Sequence, residues 1–136
     1  MKHCILIFSL SLFASLGFGQ KKKDNTIIVH GFVSYAKLKD VLFDNGFMPT
    51  NTDTSIISTN YKAMGWNGEV SFMIKRTDTT TTFKGLVFAE FSGSTPLRTE
   101  LENVGEKVSV FRVGFAKMSE IANSFNLPVT YHRFQK

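Results

Sequence analysis

The chain carries a single cysteine, Cys4, and only three prolines, and its one long apolar run lies within the first 19 residues. One cysteine excludes an intrachain disulfide and a thiolate zinc cluster. If Cys4 is removed with a leader, no cysteine nucleophile remains either. An exported protein of this size often leans on disulfides, so here the stability must come from packing. The motifs of nucleophilic, metal and nucleotide chemistry are missing too. There is no GxSxG elbow, HExxH helix, P-loop or glycine-rich dinucleotide fingerprint. Ser92-Gly93-Ser94 is a loop tripeptide without a strand-turn-helix setting. No catalytic residue and no cofactor is expected on these grounds. Net charge is small as well. The formal value is +5, and Lys21, Lys22 and Lys23 carry most of the excess. Without them the chain is nearly neutral, which argues against a dedicated nucleic-acid binder.

The apolar run has an order of its own. Lys2 and His3 make a short basic start, Cys4 to Leu16 is uncharged, and Gly17 and Gly19 occupy the −3 and −1 places before Gln20. That is the layout of a cleavable signal peptide over residues 1–19. Its apolar stretch falls short of the ~20 residues a membrane span needs, so no span is expected after cleavage. Residues 20–25 then form a polar basic leader. Its bland reading is a solvated spacer, its sharper one an arm for anionic lipid, glycan or nucleic acid. Residues 26–136 suffice for one domain with one core. Phenylalanine, with 14 copies in the chain, supplies the bulk for it.

Thr26 to Phe32 has the β-branched content of a first strand. Ser34 then caps a helix over Tyr35 to Asn45, where Leu38, Val41, Leu42 and Asn45 share a stripe and Asn45-Gly46 gives the stop. Ser55 to Lys62 reads as a second strand. Val70, Phe72 and Ile74 alternate within Glu69 to Arg76, and Phe83, Val87, Ala89 and Phe91 do so within Thr81 to Phe91. With Thr77 to Thr80 as the loop, this hairpin sets Ile74 against Phe83, Phe72 against Gly85 and Val70 against Val87. Ser92 to Gly105 reads as a polar connection. Between Lys107 and Gly114 strand and helix stay open, whereas Phe115 to Phe125 keeps helical spacing up to Leu127-Pro128. Val129 to Phe134 makes a short last strand. The expected fold is α+β, in the order β-α-β-β-β-α-β. A mainly antiparallel sheet of four to five strands carries both helices on one face.

The Gly-Gln junction, the lysine-rich leader, the SYAKLKDVLFDNGF helix, the ISTNYK strand and the KMSEIANSF helix resemble small exported α+β proteins of Bacteroidota-type bacteria. The element order is also similar to the small domains of some envelope-assembly lipoproteins, whose lipid-attachment cysteine this chain lacks. Neither resemblance implies a catalytic residue.

Candidate site residues come from parity. Once Val70, Phe72, Ile74, Phe83 and Val87 face the helices, Met73, Leu86 and Phe88 must point to the other side. A solvated face does not need that much apolar bulk, so it is a candidate interaction surface unless the Ser92 to Gly105 segment covers it. His30 and His132 could approach and share a metal if their strands were neighbours. No carboxylate stands at a spacing to complete the set, so two ordinary half-buried histidines are expected. Asp40 and Asp44, four residues apart beside Lys37, read as a solvated helix face. The expectation is a non-catalytic exported domain, periplasmic or extracellular, that binds a protein or peptide partner or itself. The alternative is a small-amphiphile binder with a cavity between sheet and helix, and a hydrolase is the distant third.

Overall fold

The computed structural model describes residues 20–66, 68–90 and 93–135. The signal-peptide reading of 1–19 lies outside them. The architecture is α+β, an antiparallel seven-stranded sheet with two helices. It is built on the expected hairpin. β4 (Gly68–Arg76) and β5 (Thr80–Ala89) pair with Ile74 opposite Phe83, Phe72 opposite Gly85 and Val70 opposite Val87. Thr77 makes the turn. Its hydroxyl accepts from the Thr79 and Thr80 N–H groups (3.3 and 3.0 Å), and its own N–H donates to the Thr80 carbonyl.

Both hairpin strands are longer than their neighbours, so each outer edge takes two short strands in succession. Along β4 lie β2 (Ile56–Ser58) and β3 (Lys62–Ala63). Along β5 lie β1 (Thr26–His30) and β6 (Leu97–Glu100), and β7 (Val129–His132) closes the far edge against β1. Two of these strands correct the sequence expectation. The single strand expected over Ser55 to Lys62 is broken at Thr59. There the Phe72 N–H donates to the Thr59 hydroxyl (2.9 Å) and the Ser71 hydroxyl donates to the Thr59 carbonyl (2.9 Å). A side-chain oxygen stands in for a ladder carbonyl, and regular pairing resumes only at Lys62. The stretch expected to be a polar connection contains β6. Its Leu97 and Arg98 are exposed and show no apolar alternation. The strand exists because β5 runs on past the end of β1 and leaves edge groups to pair.

Helix α1 (Tyr35–Asp44) starts where Ser34 accepts from the Lys37 N–H (3.2 Å) and buries Leu38 and Leu42. Gly46, at φ +81°, ends it in the left-handed region. The Lys62 ammonium then reaches the Asn45 carbonyl (2.7 Å), a cation at a helix C-terminus. Helix α2 (Val110–Asn123) settles the open stretch, because Ser109 accepts from the Arg112 N–H (3.2 Å) and begins the helix at Val110. Its buried stripe of Val110, Phe115, Met118, Ile121 and Ala122 lies on the sheet. Gly114 allows that approach, since a Cβ there would stand 2.7 Å from Val70 Cγ2. Both helices feed one core with the inner sheet face, where the Phe47 and Phe72 rings meet at 4.5 Å.

The leader is anchored rather than loose. Lys21, Lys22 and Lys23 expose their side chains, but the Lys23 N–H bonds the Asn103 carbonyl (3.0 Å) and the Asn103 side-chain amide bonds the Lys21 carbonyl (2.9 Å). The Gln20 amide donates to the buried Ser119 hydroxyl (2.6 Å), which also bonds the Tyr131 hydroxyl (2.7 Å).

Candidate interaction face

With both helices on one side of the sheet, strand parity leaves the opposite face to Ile56 of β2, Ser71 and Met73 of β4, and Lys84, Leu86 and Phe88 of β5. Met73 is 43% exposed and lies across from Lys84, while Leu86 and Phe88 are half-buried. Met73 is diagonal to Leu86, and Leu86 precedes Phe88 by one strand repeat, so the three form a slanting apolar stripe. Between them Ser71 is buried, its hydroxyl tied to Thr59. The structure therefore brings the three sequence-chosen residues together.

Of the Ser92 to Gly105 segment weighed as a cover, Ser92 lies outside the described residues, and in residues 93–105 the strand β6 lies beside this face rather than over it. β6 runs beside β5, in the plane of the sheet, and puts Arg98 across from Phe88 and Glu100 across from Leu86. The Arg98 guanidinium stands 5.3 Å from the centre of the Phe88 ring, and Tyr61 meets the same ring edge-on at 6.4 Å. Such contacts shelter an aromatic ring partly and fix its orientation. Tyr61 and Arg98 belong to the stripe although the sequence did not single them out. Tyr61 follows the Thr59 break, where counting in twos fails, and Arg98 sits on the unexpected strand. Ile56 was not singled out either, because Ile56 and Ile57 are neighbours and only the pairing with Lys75 says which of the two faces out.

The two histidines also project from the outer face. β1 and β7 are neighbours, with Thr26 opposite His132 and Ile28 opposite Thr130. His30 Nε2 and His132 Nε2 lie 2.8 and 2.9 Å from the same Thr130 Oγ1. A hydroxyl beside an imidazole is the first requirement of a nucleophile–base pair. Here it lies on open sheet, and among the described residues neither ring bonds a carboxylate. Asp40 and Asp44 remain exposed. Asp53 is exposed too, and N–H bonds from Ser55 (2.7 Å) and Ile56 (3.1 Å) hold its carboxyl below the usual range.

Clefts among the described residues are open to solvent. One of about 250 Å³ is lined by Phe32, Val33, Ser34, Lys37, Phe125 and Leu127 at the start of α1. Another, about 270 Å³, is mostly polar and lies between β6 and the chain after β7. Between sheet and helices the space is taken by Phe47, Phe72, Phe83 and Phe115, and Leu101 fills the place above Gly85. No protein-family model matches this chain, and neither a curated protein nor a solved structure matches it.

Proposed function

We propose that the chain is an exported, non-catalytic domain that binds a protein or peptide, or a second copy of itself, through the outer sheet face. The observation that carries this reading is the Met73–Leu86–Phe88 stripe. It lies on the face opposite both helices, β6 sits beside it rather than over it, and Tyr61 and Arg98 extend it. Aromatic, methionine and arginine side chains are those enriched at protein interfaces. Lys84 beside Met73 and Arg98 beside Phe88 give the apolar stripe a charged rim. Dense packing between sheet and helices gives an internal amphiphile site no comparable support. Export rests on the layout of residues 1–19, and the likeness to small exported Bacteroidota-type proteins belongs to the same proposal.

Cross-linking tests the reading. Met73→Cys, carrying a thiol-linked photocrosslinker in a Cys4→Ser chain, should give a defined adduct in the producing organism. Leu86→Ser/Phe88→Ser should remove that adduct while lowering the melting temperature by no more than a few degrees, because neither side chain is fully buried. An adduct that survives the double change would place binding elsewhere. A large fall in melting temperature would make the stripe part of the fold's own support.

A further inference from the structure

His30 and His132 are separated by most of the domain, and whether they meet depends on whether their strands are neighbours. The pairing of β1 with β7 makes them so. Both side chains stand on the outer face, and both Nε2 atoms point at Thr130 Oγ1, at 2.8 and 2.9 Å. Each nitrogen lies within 2.9 Å of one oxygen, so the two are within twice that distance of each other. Two nitrogens sharing an ion at ~2.1 Å must stand ~3–4 Å apart, which small side-chain rotations on an open face can reach. The hydroxyl has a single hydrogen. With both rings neutral it donates to one Nε2 and accepts from the other's N–H, so a lone pair and a proton already meet at this point.

We propose that His30 and His132 together hold one divalent transition-metal ion, with the Thr130 hydroxyl beside it. The ligand set selects the class. Two imidazoles without a carboxylate suit Cu²⁺, which heads the affinity order for nitrogen donors, ahead of Zn²⁺ and Ni²⁺. Ca²⁺ and Mg²⁺ want oxygen ligands and are excluded. Among the described residues no group of three or more His, Cys, Asp or Glu is placed to hold a metal. The ion therefore keeps positions open to water or to a ligand on a partner. His132 is further fixed by the Phe134 ring, 5.6 Å away centre to centre.

The test uses the full chain without a histidine tag and with His3→Ala and Cys4→Ser, since an amino-terminal Met1-Lys2-His3 and a free thiol can each bind copper. The remaining imidazoles are then His30 and His132. Titration with a Cu²⁺ salt should give one equivalent bound with micromolar affinity, and electron paramagnetic resonance should show two coordinating nitrogens. His30→Ala and His132→Ala should each weaken binding at least tenfold, and the double variant should abolish it. Thermal melts in the absence of metal should match the parent, both side chains being partly or wholly exposed. Two equivalents that fall to one in each single variant at unchanged affinity would mean independent histidines and would overturn the proposal. A spectrum with one nitrogen, or binding that survives the double variant, would do so as well.

Discussion

Gly85 has its place because another side chain needs the room. A Cβ there would stand 2.5 Å from Leu101 Cδ2 and 2.7 Å from Leu101 Cβ, with Phe72 as the cross-strand partner. Gly85→Val should therefore cost about 1–3 kcal/mol by overpacking. Phe72→Ala empties a site against Phe47 and should cost about 3–5 kcal/mol. Urea melts of the two variants measure both, and two neutral results would refute the register. Asp53 behaves differently. Its folded pKa is depressed by the Ser55 and Ile56 N–H groups, so what it adds to the turn is present above its unfolded pKa. That contribution is lost as the pH falls through the folded value. Carbon-detected NMR titration should find its midpoint below the ~3.9 of a free aspartate, and a midpoint at or above that value would mean the turn is not held in solution.

At the scale of elements, capping decided where helices begin and free edges decided where strands appear. Ser34 and Ser109 accept N–H groups in the same way, from Lys37 and Arg112. The first cap was legible because a clean amphipathic stripe follows it. The second was not, because Val108 and Val110 also alternate as a strand would. Ser109→Ala should cost about 1 kcal/mol and loosen the first turn of α2, seen as faster amide exchange at Arg112 and Val113. Exchange unchanged there would mean that packing of Val110 fixes the start instead. β6 has no such local signal. It is recruited by unpaired groups of β5, and Leu101, which follows it, is wholly buried among apolar side chains.

At the scale of the whole molecule, one layer of helices on one sheet leaves two surfaces of different character. The inner one is buried and filled by aromatic and branched residues. The outer one mixes Met73, Leu86, Phe88 and Tyr61 with lysine, arginine and the histidine pair. Among the described residues no helix is long and apolar enough to cross a membrane. If residues 1–19 are a signal peptide, intact mass of the exported protein should correspond to a chain starting at Gln20. Recovery of only the full-length, membrane-bound chain would refute that reading. Gln20 itself is bound to Ser119, which makes it an early fixed point of the folded domain.

The residues by themselves determined the hairpin register, the first helix with both its ends, the helix on the sheet from Phe115 onward, and the parity that puts Met73, Leu86 and Phe88 on one side. These follow from periods of 2 and 3.6 and from local caps, which need only near neighbours in the chain. Tertiary structure alone decided the break at Thr59, the strand at Leu97–Glu100, the anchoring of the leader on Asn103 and the meeting of His30 with His132. Each depends on a hydrogen-bonding partner far along the chain, such as Phe72 for Thr59 or Thr130 for His30. A free donor or an open edge chooses that partner by position in space, and no local pattern of residues encodes it.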